Sequence, residues 1–397
     1  MPARTIIHFF RCTVASEMIP DCGDDRDLRT QFTAGDAMIC KFSASAKGYF
    51  KDDLASSFIN LDLSTPGAPP LQLKKPPIIN RGYFARVLSV NQTIQNFLAA
   101  ADAGLPRKKQ IISLGSGFDT LSLQLLLKKD ESLHLFEVDF EKIIRRKVAT
   151  CLNDQVIRQL LTSVHGDNLG TSHHEKDHTL IDDKTPVSAG KGFAHGCAPN
   201  KYSFRNIHFL CGDLRDAKRV ISSLLDAGLD VTAPTLILTE CVMVYLEKKD
   251  TENLCLEFSA LLSDAAWVTY DMISPHDVFG RTMLRNLTAG RFNVPGFVDF
   301  PTLESQIGRF LSTGWSEARC INMLSVYDNY ISIEERRRVA RLEIFDEIEE
   351  WQMLMSHYSL TIAIKGAMLL SVLPEPIKAE AIKFLPLSEP FNNIIRK

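Results

Sequence analysis

An α/β fold built on a mostly parallel sheet is predicted by three features of this 397-residue chain. Short apolar runs alternate with helical patterns through its middle. One run passes into a helix through Gly115-Ser116-Gly117, and several runs end in a carboxylate. Parallel strands need a crossover long enough to hold a helix, so this rhythm reads as successive βαβ units in a Rossmann-like domain.

Residues 1–32 show no sustained periodicity and collect Asp21, Asp24, Asp25 and Asp27, which reads as a poorly ordered lead-in. From Asp36 the pattern is helical, with Ile39, Phe42 and Ala46, then Leu54, Phe58 and Ile59. Two Pro-rich breaks follow, at residues 64–70 and 74–77, and Asn80 to Leu98 presents a further helix face. Strands are predicted at Gln110–Leu114, Ser132–Asp139, Ile207–Gly212, Thr235–Thr239, Trp267–Asp271 and Tyr358–Ile364. Helices are predicted at Thr120–Leu127 and Phe140–Leu152. Ser332 to Met355 reads as one long amphipathic helix whose stripe is Val339, Leu342, Phe345, Ile348, Trp351 and Leu354.

The stretch His165–Ser203 breaks the rhythm. It holds five of the ten histidines, few large apolar residues and no period, so it is read as an insertion projecting from the fold. No spacing among His173, His174 and His178 matches a zinc pattern, and no metal is expected. Apart from the lead-in and this insertion, residues 33–397 are expected to form one domain.

Composition narrows the function. Lys+Arg 45 against Asp+Glu 48 gives a net charge of -3, without the basic excess that draws a protein to nucleic acid or an anionic membrane. No apolar run approaches the roughly 20 residues of a membrane helix, and no convincing secretory signal opens the chain. Nine cysteines without a C-x-x-C pair fit reduced thiols in a cytoplasmic protein.

The Gly115-Ser116-Gly117 turn sits where Rossmann-like domains receive a nucleotide. Thr120 stands where a dinucleotide fingerprint needs a third small residue, and no G-K-[ST] follows, so a cofactor without a pyrophosphate is the better candidate. Asp139 ends the second strand, Asp213 follows the third and Glu240 ends the fourth. Each acid alone could equally close a turn. Together they ring the edge where open α/β sheets bind ligands, and they suit the donor groups of an adenosine and a cationic centre. Adenosine joined to a sulfonium is S-adenosylmethionine.

Several segments resemble the leucine carboxyl methyltransferases. They are Cys40-Lys41-Phe42, residues 79–86 (INRGYFAR), residues 113–120 (SLGSGFDT), residues 136–140 (FEVDF), residues 213–216 (DLRD) and residues 239–245 (TECVMVY). The resemblance runs from about residue 33 to 366 and is strengthened by residues 303–306 (LESQ) and 342–347 (LEIFDE). It implies a class I S-adenosylmethionine-dependent methyltransferase with a seven-stranded sheet and a helical lid over residues 33–100. The implied reaction is methyl esterification of the C-terminal leucine of the protein phosphatase 2A catalytic subunit, which regulates assembly of that phosphatase. A monomeric enzyme is expected, with no nucleic acid or membrane partner.

By the same resemblance, Lys41 and Arg81 would hold the methionyl carboxylate, Gly115 would pass beneath it and Asp139 would take the ribose. Asp213 and Leu214 would frame the adenine, and Glu240 would sit beside the amino group. Arg86 and Tyr245 are candidates to orient the acceptor carboxylate. That carboxylate has a pKa near ~3.5, is already ionised at pH 7 and needs no general base. Two other readings are a tRNA wybutosine-synthesising methyltransferase and a non-enzymatic binding module. The first would add repeats after the catalytic domain, whereas this chain stops at Lys397 without one. The second would be expected to lack the glycine turn or the acids.

Overall fold

The computed structural model describes residues 26–59, 73–102, 108–162 and 200–366. Among these, three helices precede the sheet: α1 (Arg26–Ala46), α2 (Ser56–Ile59) and α3 (Pro77–Asp102). Gly48 stops α1 by turning left-handed at φ +85°, which lets its own N–H and that of Tyr49 reach back to the carbonyls of Ser45 and Ala44. Pro77 opens α3, where a missing N–H costs nothing.

The alternation then runs β1 (Lys109–Leu114), α4 (Leu121–Leu126), β2 (Leu133–Asp139), α5 (Glu141–Asn153) and α6 (Gln155–Thr162). It continues through β3 (Lys201–Phe204), β4 (Ile207–Cys211), α7 (Ala217–Asp226), β5 (Thr235–Glu240), α8 (Lys248–Leu261) and β6 (Ala265–Met272). The remainder is α9 (Val278–Ala289), α10 (Pro295–Asp299), α11 (Leu303–Leu311), β7 (Glu317–Asn322), α12 (Met323–Tyr330), α13 (Ile333–Val339), α14 (Ile348–Ser356) and β8 (Tyr358–Lys365).

The strands form one eight-stranded sheet in the order β3-β4-β2-β1-β5-β6-β8-β7. From β4 to β6 all neighbours are parallel; β3 on β4 and β8 against both β6 and β7 are antiparallel. Successive side chains point to opposite faces, so each buried strand feeds two cores. Ile111, Leu133 and Leu135 join the layer formed by α1, α3, α5 and α9, while Ile112, Leu114, Phe136 and Val138 join α7, α8 and α11. On the second face, Trp267 lies 5.6–5.7 Å edge-on from Phe258, Phe310 and Trp315.

Four sequence expectations change. Helix α1 begins at Arg26, so residues 26–32 belong to the ordered fold rather than to the lead-in; residues 1–25 lie outside the described residues. The assigned insertion ran too far, because Lys201–Phe204 is an edge strand paired with β4 through a hairpin turn at Arg205 and Asn206. The histidines at 165, 173, 174, 178 and 195 lie outside the described residues. The sheet has eight strands rather than seven, β3 being the additional one. Finally, the long helix over 332–355 is two short ones, α13 and α14, joined by a turn and an irregular segment. A strict three-residue spacing falls about 60° short of a helical turn at each step, so over five steps it sweeps about 300° around the axis and marks no single face.

Candidate active site

The chain runs from β1 outward through β2 to β4, then returns to place β5 on the other side of β1. The crevice at that reversal is where such sheets bind ligands. A cavity of about 270 Å³ occupies it, roofed by α1 and α3. Gly115 and Gly117 hold φ of +65° and +51°, which L side chains rarely adopt. A Cβ at Gly115 would lie 2.6 Å from Val242 Cγ2, so bulk is excluded there twice over. Thr120, the residue that spoils the dinucleotide pattern, is buried and donates its hydroxyl to Asp52 Oδ2 at 2.6 Å, tying the glycine turn to the segment after α1.

All three predicted strand-end acids line this cavity, with Leu214 and Gly115. Asp139 accepts hydrogen bonds from the N–H groups of Gly117 and Phe140, both at 2.7 Å. Burial outweighs those bonds and pushes its carboxyl up to about 6. Asp213 is forked by Arg215, whose Nε lies 2.9 and 3.0 Å from its two oxygens. Burial alone would raise the Asp213 carboxyl; the Arg215 hydrogen bonds prevail and hold it below its ordinary value. Arg215 also grips Asp27 at 3.0 and 2.6 Å, so the first turn of α1 is clasped over the mouth of the cavity. Sequence reading missed this role for Asp27, which looked like part of an acidic lead-in.

The cations arrive from the roof. Lys41 on α1 is buried, 2.7 Å from Asp119 Oδ1 and 3.9 Å from Asp52 Oδ2. Burial opposes its charge, but the fields of Asp119 and Asp52 win and raise its pKa. Arg86 on α3 donates Nε to Glu240 Oε2 at 2.7 Å and Nη2 to the Glu240 carbonyl at 3.3 Å. Its guanidinium carbon stands 5.0 Å from the Tyr270 ring centre and 5.5 Å from that of Tyr83. Ile79, Gly82, Tyr83, Arg86 and Val87 make up the face of α3 that lines the cavity.

Arg81 is not on that face and does not line this cavity, so the structure does not bring it together with the other residues expected around the cofactor. Its guanidinium stacks on Phe345 at 4.0 Å, in a separate groove with Arg341, Leu342, Glu343 and Ile344. Five residues along a helix turn it by about 140°, so the two arginines of residues 79–86 cannot share a face.

Tyr245 lies in a 3-10 turn, Met243–Tyr245, directly after β5. Burial raises its phenol pKa far above the ordinary range, so the hydroxyl remains a donor. The turn is braced from below by Gly296, where a Cβ would lie 2.3 Å from the Met243 carbonyl. Close by, Asp271 accepts hydrogen bonds from Thr269 Oγ1 at 2.9 Å and from Arg309 at 3.1 Å, in a region where the Asp271 and Arg309 side chains are both about 1% exposed. Beyond Tyr245 the lining turns apolar and aromatic through Tyr270, Met272, Leu287, Phe292 and Tyr358.

Charge and polarity therefore divide the crevice. Asp213, Asp139 and Glu240 stand at the ends of β4, β2 and β5 with the turn backbone after β1 between them, while Tyr270, Met272, Leu287, Phe292 and Tyr358 make the lining apolar and aromatic toward β6 and β8. Buried Ser116 Oγ has no hydrogen-bond partner among the described residues and lines the polar half. An adenosine-bearing cation with its own carboxylate fits this donor and acceptor set; a polyphosphate would face Asp139, Asp213 and Glu240.

A sheet that reverses at such a crevice, with a glycine turn, acids at its strand ends and a helical roof, defines a class I methyltransferase. The family model for leucine carboxyl methyltransferases matches residues 29–259, a span holding every residue discussed from Lys41 to Tyr245. The chain is 33% identical over 338 residues to Leucine carboxyl methyltransferase 1 homolog of Arabidopsis thaliana, covering 85% of this chain and 90% of that one. It is 31% identical over 329 residues to Leucine carboxyl methyltransferase 1 of Schizosaccharomyces pombe, covering 83% and 92%. It is also 31% identical over 353 residues to human tRNA wybutosine-synthesizing protein 4, covering 88% of this chain and 46% of that longer one. The protein belongs to the leucine carboxyl methyltransferase family.

Proposed function

We propose that the protein uses S-adenosylmethionine to methylate the α-carboxylate of a C-terminal leucine, and that its acceptor is the catalytic subunit of protein phosphatase 2A. The observation that carries this reading is the divided crevice, acidic under the cofactor's expected path and apolar beyond Tyr245, in a chain of this family. When bound, the cofactor supplies an electrophilic methyl group on a sulfonium.

In this reading Asp139 accepts from the ribose hydroxyls, Asp213 and Leu214 frame the adenine, and Glu240 faces the amino group. Gly115 lets the backbone pass close beneath. Lys41 and Arg86 hold the methionyl carboxylate, Arg86 taking the part first expected of Arg81. Each cation is already paired with an acid, at 2.7 Å in both cases, so binding adds a carboxylate to balanced ion pairs rather than to bare charges. The acceptor carboxylate is ionised without help. The protein's task is to strip its water and align one oxygen behind the methyl group, which a chamber walled by Tyr270, Met272, Leu287 and Phe292 favours. Tyr245 orients the acceptor through its protonated hydroxyl.

The test is transfer of labelled methyl from S-adenosylmethionine to the phosphatase catalytic subunit with and without its terminal leucine. A base-labile ester that requires the leucine is expected. Label appearing equally on the truncated subunit, or only on tRNA, would overturn the assignment.

A further inference from the structure

One acid that lines the crevice is left without a task by this mechanism. Asp36 lies on α1 and is half-buried among the cavity-lining residues. Burial is the main influence on its carboxyl and Lys75 an opposing charge; no hydrogen bond from a described group reaches it. Its neighbourhood is the acceptor side of the site: Thr33, one turn earlier on α1, Asp36 and Tyr245 line the same cavity, and Tyr245 feels the charge of Asp36. Arg86 comes from α3, committed to Glu240, and Cys241 from the β5 turn. Farther along α1, Lys41 is committed to Asp119.

The chemistry of the acceptor makes this placement a problem or a device. A carboxylate must enter beside Tyr245, where both nearby cations are already balanced by acids. An ionised Asp36 would repel it in a poorly screened site. A neutral Asp36 would instead offer an O–H donor. We propose that Asp36 is an acceptor-positioning residue that donates a hydrogen bond from its carboxyl O–H to the incoming carboxylate in the cavity it lines with Tyr245. The proposal rests on the acceptor being a carboxylate, as inferred above. Burial pushes the Asp36 carboxyl up to about 7, and an arriving anion raises it further, so substrate entry favours the form the contact needs.

The test is the pH dependence of kcat/KM for the phosphatase catalytic subunit at saturating S-adenosylmethionine, for the wild type, Asp36→Asn and Asp36→Ala. The asparagine keeps a donor without a titrating proton; the alanine removes both. For the wild type, kcat/KM should fall above about pH 7, approaching tenfold per pH unit. Asp36→Asn should abolish that alkaline limb while staying within about threefold of wild type at pH 6.5, and Asp36→Ala should lose roughly tenfold or more throughout. Cofactor affinity, read by calorimetry, should be unchanged in both variants. A wild type with no alkaline limb, a limb that persists in Asp36→Asn, or an asparagine variant as impaired as the alanine would overturn the role of Asp36 and leave the proposed reaction standing. A wild type that esterifies no terminal carboxylate would remove the reaction and Asp36's role together.

Discussion

Two arginines five residues apart on α3 have separate fates because a helix turns about 100° per residue. Arg86 faces the crevice and pairs with Glu240; Arg81 stacks on Phe345 outside it. Arg86→Ala is expected to weaken cofactor binding by about 1.5–3 kcal/mol, the worth of a charge-assisted hydrogen bond. Arg81→Ala should bind as the wild type does. Calorimetric titration of both variants checks this, and equal losses would show that the two arginines do not differ in role. The strand-end acids were legible in the sequence because a carboxylate at the end of a buried strand has few places to go. The partners of the cations were not: Lys41 meets Asp119 across 78 positions and Arg86 meets Glu240 across 154, and local pattern carries no trace of such pairings.

Elements with a clean period were read correctly in kind and nearly in extent. The run at 110–114 became β1, Lys109–Leu114, and that at 358–364 became β8, Tyr358–Lys365. The weak points were short or exposed pieces. Strand β3 alternates exposed and half-buried residues, with Tyr202 and Phe204 inward, but lies at the end of a polar stretch that hid it. Its boundary matters for engineering. Replacing residues 165–199 with a short Gly/Ser linker is expected to preserve folding and methyl transfer. Extending the deletion through Ser203 would strip the strand from β4 and leave the β4 edge unpaired. Thermal melts and methyl-transfer rates of the two deletions compare them; a collapse of the shorter one would contradict the boundary drawn here. Helix α1 gives the complementary lesson, since the Asp27–Arg215–Asp213 clasp ties its first turn to the far side of the sheet.

Across the whole molecule, the charges that nearly cancel in the sequence are gathered unevenly, and the crevice inherits a dependence on pH. The Asp139 carboxyl is raised from 3.8 to about 6. A group raised on folding contributes stability below its unfolded pKa and loses it as pH rises through the folded value. Protonation of Asp139 therefore stabilises the ligand-free protein between about pH 6 and 4. The ribose contact prefers the ionised carboxylate, so cofactor affinity should move the other way, steady above pH 7 and falling as pH drops through about 6. Binding measured from pH 5 to 8 tests the sign, with Asp139→Asn expected to bind weakly and without that dependence.

Sequence alone was enough for the α/β class, the glycine turn at β1, the three acids and the family, because these rest on local periodicity, turn chemistry and short contiguous motifs. Only the folded chain decided which arginine lines the crevice, which acids balance the cations, that residues 26–32 help to close the crevice, and that Asp36 and Tyr245 line the same cavity. Each of those depends on the direction in which a side chain leaves its helix and on what a distant segment brings to meet it, and neither is written in the spacing of residues.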